Sequence, residues 1–360
     1  MVIATRLATG FIFLATVLPF LSVGTWWIRL CDFPRMHIGA AALVPSVLLS
    51  YWSWRNGPSL EPSLLIALCT SMAFWQFSHL LPYTPVWRKE LPDARPNDAA
   101  HTLSVVNLKF ENDKKVEVLK QLQALDSDLL LLIEFDQAWS DGLAPLKDRY
   151  AYREGAILEE GLGLVFWSKL PLIEPEVRYL VSEKRPSIFS KVELSDGRIA
   201  NFVGVHPTPP GLWDKDKERR HDSRIRDAEL LIIADLVAKH PTRDWIISGD
   251  FNDVAWSHTT RLFQRTSGLK DPRVGRGLYT TYHAKYPPFR VPIDQVFLSP
   301  TACILRLERL KPAGSDHFAI TTAFYLEGQE RSTPNPEGND LEQAEKMIDE
   351  GLRDADEEGE

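Results

Sequence analysis

The first ninety residues of the chain contain long uncharged stretches that later parts of the chain lack. No charged side chain occurs within residues 7–28, and two further apolar stretches occupy residues 36–54 and about 62–86. A helix rises ~1.5 Å per residue, so crossing a ~30 Å hydrocarbon core takes about 20 residues. A cleaved signal peptide is the alternative for the first stretch, but its apolar part would be shorter and no similar stretches would follow closely. The pattern therefore predicts three transmembrane helices.

The charges that flank these stretches leave open which side of the membrane the rest of the chain faces. With three spans, the N-terminus and the C-terminal part lie on opposite sides. Arg6 and Arg55 lie on the N-terminal side, whereas the opposite side carries Arg29, Arg35, Arg88, Lys89 and Arg95. This excess favours a cytoplasmic C-terminal part. The first helix often dominates orientation, however, and its two flanks are nearly balanced.

The remainder of the chain alternates short apolar runs with polar ones. Residues 88–101 are polar with two prolines, which predicts a linker. Beyond it, the spacing of apolar residues predicts helices over residues 116–125 and 222–239, and strands over residues 102–108, 128–134, 163–167, 188–194, 199–205 and 245–248. Strands this numerous, with few helices between them, indicate an α+β sandwich rather than a doubly wound sheet.

Charge divides the chain further. Residues 327–360 carry thirteen acidic side chains against three basic ones, which predicts a disordered tail with one short helix near residues 341–352. Residues 97–326 carry a net charge of −1, so they have no overall basic surface for nucleic acid. The three cysteines, Cys31, Cys69 and Cys303, indicate neither a disulfide framework nor a zinc cluster.

Polar side chains lie at the ends of several apolar strands, and one acid, Asp294, lies inside a strand. They occur in the segments Val106-Asn107, Ile133-Glu134, Val205-His206, Gly249-Asp250-Phe251-Asn252, Ile293-Asp294 and Gly314-Ser315-Asp316-His317. Taken singly, each has a structural explanation, since a carboxylate after a strand usually forms a turn or caps a helix. Together they supply oxygen ligands for a hard cation, a base for water and donors for a phosphate. This combination predicts the hydrolysis of a phosphate ester.

The order Asn, Glu, His, Gly-Asp-Phe-Asn, Ile-Asp-x-Val-Phe and Ser-Asp-His resembles the endonuclease/exonuclease/phosphatase superfamily, which includes DNase I, exonuclease III, neutral sphingomyelinases and inositol polyphosphate 5-phosphatases. The resemblance covers residues from about 102 to 326. It implies a four-layered sandwich of two packed mixed β-sheets flanked by helices. The N-terminal helices resemble those of a bacterial subgroup, which implies a multi-pass protein of the bacterial inner membrane.

The resemblance also implies a cofactor and a substrate class. Glu134 would be the main ligand of Mg²⁺ or Mn²⁺, Asp316 would complete the metal side, and Asn107 would lie beside the metal or the phosphate. The substrate would be a phosphodiester or phosphomonoester, held by Asn107, Asn252 and His206. The sequence gives no indication of a protein partner.

The catalytic roles follow from the same resemblance. Asp250 and Asn252 would bind and orient the nucleophilic water and the phosphate. Asp294 would hold His317 in the required tautomer, and His206 would contact the phosphate or assist the leaving group.

The chain departs from the family pattern at two places. Ile133 stands where many members have Gln, and Leu108-Lys109-Phe110 replaces an acidic or glycine-containing segment, with Asn112 as a second candidate contributor. Two further features are expected to be structural. The first is a solvated helix face with Arg219, Arg220, Arg224 and Arg226, and the second is a pair of self-packed surface loops at residues 209–213 and 287–289.

Three functions stay open on these grounds. The enzyme is a nuclease or a lipid-headgroup phosphodiesterase, or the chain is an inactive membrane scaffold. The complete set of residue types favours an active enzyme, and the membrane anchor with a near-neutral domain favours a lipid or a small phosphoester. Because residues 1–96 contain no motif residue, we expect their deletion to leave a soluble, folded fragment.

Overall fold

The computed structural model describes residues 2–95, 100–211, 213, 221–241, 243–327 and 332–359. Part of the linker expected at residues 88–101 and part of the acidic tail lie outside the described residues, as do Leu212, Arg219 and Arg220.

The N-terminal part consists mainly of apolar helices, whose bounds are α1 Val2–Val17, α2 Trp26–Arg29, α3 Arg35–Asn56 and α4 Leu60–Leu80. Three segments are long and apolar enough to cross a membrane, namely Ile3–Phe20, Arg35–Asn56 and Leu60–Tyr83. At most 33% of each segment is buried within the protein, so all three helices expose apolar surface of the kind that a membrane or a partner protein covers.

The first helix ends earlier than the uncharged stretch predicts. We expected a span over residues 7–28, but α1 ends at Val17, and a short 3₁₀ turn over Leu18–Phe20 follows it. Residues 21–34, here called the interspan segment, connect the first two of these candidate spans. The carbonyl of Gly24 accepts a hydrogen bond from the backbone N–H of Ser223 at 2.7 Å. Apolar periodicity cannot reveal this change of direction, because contacts with a distant part of the chain cause it.

Eleven strands of the described residues form two sheets. The strands are β1 His101–Asn107, β2 Leu129–Ile133, β3 Tyr152–Ala156, β4 Leu164–Ser168, β5 Leu172–Arg178, β6 Ser187–Glu193, β7 Ile199–Val205, β8 Asp244–Asp250, β9 Asp294–Leu298, β10 Ala302–Leu310 and β11 Ala319–Leu326. The first sheet has the order β10-β11-β1-β2-β4-β3, and the second has the order β5-β6-β7-β8-β9. Both mix parallel and antiparallel pairs.

Helices cover the outer face of each sheet. They are α5 Lys115–Leu125 and α6 Gln137–Gly142 on the first sheet, and α7 Arg224–Ala238 and α8 His258–Ser267 on the second. Strand β2 is apolar throughout because Leu129 and Leu131 face the core between the sheets, whereas Leu130 and Leu132 face the helices. This arrangement confirms the expected four-layered sandwich.

Residues 90–94 do not form a free linker. Leu91 is fully buried in the core between the sheets. The backbone N–H of Ile304 donates to Pro92 at 2.8 Å, and Ala94 donates back to Ile304 at 2.9 Å. The linker expected over residues 88–101 is therefore packed along this stretch, because the chain pairs with the edge strand β10.

The acidic tail is also more ordered than its composition predicts. Residues Asp340–Glu358 form the nineteen-residue helix α9, which packs on α7. Its buried side includes Ala344, Met347, Gly351 and Ala355, at a spacing of three and four residues. Acidic side chains of α9 pair with basic ones of the sandwich, as Asp354 does with Arg224 at 2.8 Å. The structure therefore has a helix where a short one was expected near residues 341–352, and the disorder expected around it is wrong for residues 353–358.

Candidate active site

The strand register brings the predicted site residues to one edge of the sandwich. Strands β1 and β2 run parallel, so Asn107 at the end of β1 lies beside the end of β2, which Glu134 follows. Strands β8 and β9 run antiparallel, which pairs Asp250 directly with Asp294. Strand β11 is antiparallel to β1, so residues 316–317, which precede it, lie at the same edge.

A cavity of about 670 Å³ opens at this edge. Six of the predicted site residues line it, namely Glu134, His206, Asp250, Asn252, Asp316 and His317. The other two, Asn107 and Asp294, lie behind them and hydrogen-bond to lining residues. The structure therefore brings all eight together.

Glu134 is positioned by donors from the loop after β1. Its Oε1 accepts from Nδ2 of Asn107 at 2.9 Å, and its Oε2 accepts from the backbone N–H of Phe110 at 3.1 Å. Its φ of 60° lies in the left-handed region, which a residue with a Cβ adopts only when its surroundings impose it. Such backbone conformations cluster at functional sites.

His317 lies between two buried carboxylates. Its Nδ1 is 2.8 Å from Oδ2 of Asp294 and 3.8 Å from Oδ2 of Asp250. Burial opposes a charge on the ring, but these carboxylates outweigh it and raise the pKa of His317. Burial, and then the charge of Asp294, raise the pKa of Asp250. The cluster therefore keeps a proton on His317, with Nδ1 donating to Asp294.

His206 has the opposite electrostatic environment. Burial, followed by the charges of Arg185 and His317, holds the pKa of His206 well below its usual range. Nη1 of Arg185 is 3.3 Å from Nδ1 of His206. A guanidinium can only donate, so Nδ1 is the acceptor and Nε2 carries the proton of the neutral ring. His206 can therefore donate a hydrogen bond to a ligand oxygen without carrying a charge.

The Gly-Asp-Phe-Asn turn has a positive φ at two positions, its glycine Gly249 and its asparagine Asn252. Gly249 has a φ of 154°, and a Cβ there would lie 1.9 Å from the carbonyl oxygen of Val205. Asn252 has a φ of 50°, and its Nδ2 donates to Pro207 at 3.0 Å.

Arg226 is fully buried and donates to the Asn252 carbonyl at 2.7 Å. The expectation that Arg226 belongs to a solvated face is therefore wrong.

Two groups of side chains have the ligand types for a metal ion. Asp250, Asp294 and His317 could place one ligand atom each within 4.8 Å of one another, but all three are buried, and Asp294 and His317 are hydrogen-bonded to each other. Glu134 and Asp316 are half-buried and open into the cavity, where water has room to complete a hydration shell. Carboxylate oxygens with room for water are the kind of ligand set that Mg²⁺ and Mn²⁺ take.

Several residues of the cavity were not predicted from the sequence. Arg185 contacts His206, Nζ of Lys109 is 3.4 Å from Oδ2 of Asp316, and the Tyr282 ring lies 4.9 Å from the His317 ring. They lie in loops without a strand-end motif, so no local signal marks them. One wall comes from the interspan segment, with Trp26, Arg29, Leu30 and Phe33.

Asn112 has a structural role rather than the second site role suggested for it. Its Nδ2 donates to the carbonyls of Leu108 and Ala313, at 3.1 and 2.8 Å. It therefore ties the loop after β1 to the loop before β11.

Solved structures with the same sandwich include three with TM-scores of 0.51. Humanized D. rerio TDP2 is 15% identical, and the match covers 63% of this chain and 99% of that chain. An endonuclease/exonuclease/phosphatase from Bacteroides vulgatus is 16% identical, with 64% and 100% covered. The human Nocturnin catalytic domain with bound sulfate is 16% identical, with 66% and 97% covered. At these identities the likeness shows a shared fold alone.

No curated protein sequence matches the chain. The sequence profile of the Endonuclease/Exonuclease/phosphatase family matches residues 106–317, which is more than half of the chain and includes all eight predicted site residues. The chain therefore belongs to the endonuclease/exonuclease/phosphatase family.

Proposed function

We propose that this protein is a membrane-anchored hydrolase that cleaves a phosphate ester with the help of Mg²⁺ or Mn²⁺. The proposal rests on one observation above all, the meeting of six separate sequence motifs in a single cavity. An inactive scaffold would have no need for hydrogen bonds that orient Glu134 and His317 toward a shared space.

The phosphate would lie between neutral and cationic donors. Nε2 of His206 and the amide of Asn252 face the cavity from the second sheet, and Lys109 reaches it from the first. Donors fixed in advance stabilise the charge that develops on the phosphoryl oxygens, because they need no reorganisation during the reaction.

The buried cluster of Asp250, Asp294 and His317 would accept and donate the protons of the reaction. Asp250 lines the cavity, and burial raises its pKa, so its carboxylate is suited to accept a proton from the attacking water. His317 keeps Nδ1 bonded to Asp294, which leaves Nε2–H to donate to an oxygen of the substrate. This division of roles assigns the base and the acid to neighbouring residues at one edge.

The donor set of the open carboxylates fits a hard cation. Glu134 and Asp316 would hold it, with Asn107 beside Glu134. When bound, Mg²⁺ or Mn²⁺ supplies positive charge next to the phosphate oxygens.

Hydrolysis of bis(4-nitrophenyl) phosphate by the full-length protein in detergent tests this function. We expect activity with Mg²⁺ or Mn²⁺ and none after EDTA treatment. Glu134→Gln should abolish the metal-stimulated rate, by roughly 100-fold or more, because it removes a charged ligand. Glu117→Gln, at an exposed position on α5, should leave the rate unchanged. Wild-type turnover and metal dependence in a folded Glu134→Gln protein would show that the site is assigned wrongly.

A further inference from the structure

The interspan segment is bound tightly to the catalytic domain. The backbone N–H of Trp26 donates to Oδ1 of Asp222 at 2.9 Å, and Nε1 of Trp256 donates to the carbonyl of Asp32 at 2.8 Å. The buried carboxylate of Asp32 in this segment lies between Arg29 and Arg35, the first residue of α3, at 3.6 and 2.6 Å. These contacts hold the segment in one position relative to the active site.

This segment gives the active-site cavity an apolar wall. Trp26, Leu30 and Phe33 line the cavity from the interspan side, and Pro209 and Pro210 line it from the loop after β7. The catalytic carboxylates and histidines form the inner end. One cavity therefore joins a polar, phosphate-binding end to an apolar entrance.

Chain connectivity places the entrance at the membrane surface. The interspan segment connects the end of the first apolar helical segment, at Phe20, with the start of the second, at Arg35. If both cross the bilayer, the segment lies at the lipid–water boundary. The loop at residues 287–289 lies at the same level, since the exposed Phe289 ring stacks on His37 in the first turn of α3 at 6.0 Å.

We propose that the substrate is a lipid phosphoester, whose phosphate reaches the catalytic cluster while its hydrocarbon chain leaves along the Trp26–Leu30–Phe33 wall. The inference rests on the proposed phosphoesterase function and specifies its substrate class. A nucleic acid is the less favoured alternative. Residues 97–326 have a net charge of −1, whereas affinity for nucleic acid comes largely from cations that neutralise its backbone.

Two esters that differ only in chain length test this proposal. The full-length protein in dodecyl maltoside micelles would be given methyl 4-nitrophenyl phosphate or hexadecyl 4-nitrophenyl phosphate, with Mg²⁺ or Mn²⁺, and released 4-nitrophenol would be measured. We expect kcat/KM to be at least ~10-fold higher for the hexadecyl ester. Leu30→Ser should lower the hexadecyl-to-methyl ratio by roughly 5-fold, because a side chain that is 55% exposed at the entrance loses its apolar contact.

The control is Ile199→Ser, a similar change on the surface. Ile199 is the first residue of β7, whereas His206 follows the last residue of that strand. Ile199→Ser should leave the ratio unchanged. Three results would overturn the lipid proposal: equal rates for the two esters, a ratio that Leu30→Ser does not change, or cleavage of a duplex DNA oligonucleotide that is faster than cleavage of the hexadecyl ester. None of them would contradict the proposed phosphoesterase function. If neither ester nor DNA is cleaved with either metal, the proposed function itself fails, and the lipid proposal fails with it.

Discussion

At the scale of single residues, the site depends on one imidazole shared by two buried carboxylates. Asp294 Oδ2 accepts from His317 at 2.8 Å, and Asp294 Oδ1 has no hydrogen-bond partner among the described residues. A carboxylate buried with one oxygen unsatisfied is costly unless a charge compensates it. The protonated His317 supplies that charge. Asp294 therefore fixes the orientation of the ring, and the ring in turn stabilises the buried carboxylate of Asp294.

Replacement of Asp294 by Asn should therefore remove the orientation of His317 without removing a large side chain. Asp294→Asn should lower kcat by ~10² to 10⁴ and leave KM largely intact, because it removes a charge that keeps His317 protonated and lets the neutral ring take the wrong tautomer. His317→Ala should cost at least as much. Since the two residues act as a unit, the double variant should be scarcely slower than His317→Ala alone. Steady-state kinetics check this, and losses that multiply would show that the residues act independently.

A further buried carboxylate, that of Glu229, affects the stability of the protein rather than catalysis. Glu229 is fully buried, its Oε1 accepts from Ser187 at 2.6 Å, and its Oε2 has no hydrogen-bond partner among the described residues. Burial raises the pKa of Glu229 from 4.5 to about 7. The folded state thus binds this proton more tightly than the unfolded state. The corresponding stability is present below the unfolded-state pKa and is lost as the pH rises toward 7.

The pH dependence of a Glu229→Gln variant tests this account. The amide cannot ionise, so the variant should gain stability relative to wild type between pH 5 and pH 8, by on the order of 2 kcal/mol. The measurement is the difference in Tm between variant and wild type in the same detergent at both pH values. Glu117→Gln, at an exposed position, serves as the control. A Tm difference that does not change with pH would contradict the raised pKa.

The sequence predicted the cavity residues that lie at or near a strand end in a recognisable motif, and it missed those in loops without one. A polar residue after an apolar strand, such as Glu134 after β2, stands out because its position is fixed by the strand. Arg185 lies in a loop and reaches His206 only through tertiary structure. Arg226 looked like one of several exposed arginines, and only its burial beneath Asn252 shows its role.

At the scale of secondary-structure elements, α9 shows how acidic composition can conceal a packed helix. Its acids pair with arginines of the sandwich, as Asp340 does with Arg265 at 2.6 Å. Few residues of α9 are apolar, so its composition is polar overall, but those few lie on one side of the helix. Strand β2, by contrast, was predicted closely because it is buried on both faces and therefore continuously apolar.

The close packing of α9 on α7 leaves no room for a side chain at Gly351. A Cβ at this position would lie 2.3 Å from the carbonyl oxygen of Arg224 and 2.4 Å from Cβ of Ala228. Gly351→Ala should therefore displace the helix and destabilise the protein by about 1–3 kcal/mol, although alanine favours helix formation. Glu345→Ala, at an exposed position of the same helix, should leave Tm nearly unchanged. A Gly351→Ala protein that is as stable as wild type would show that α9 does not pack as described.

At the scale of the whole molecule, the N-terminal helices and the sandwich share a hydrophobic cluster. Tyr83, just after α4, donates to the carbonyl of Ala255 at 3.0 Å, and Leu80 packs in the same cluster as Trp256 and Ile293. The sequence could not predict this union, because hydropathy separates lipid-facing from water-facing segments but does not show which of them touch. The expected boundary after residue 96 therefore cuts through packed structure.

Two fragments test where the folded unit begins. A fragment of residues 97–360 lacks Leu91, which is fully buried between the sheets, and also lacks the backbone pairing of Pro92 and Ala94 with Ile304. A fragment of residues 87–360 retains both. Removal of a buried leucine side chain costs about 2–5 kcal/mol, so the shorter fragment should have a Tm lower by roughly 5–15 °C in the same detergent. Leu91→Ala in the longer fragment should reproduce much of this loss, and an equal Tm for the two fragments would restore the boundary at residue 96.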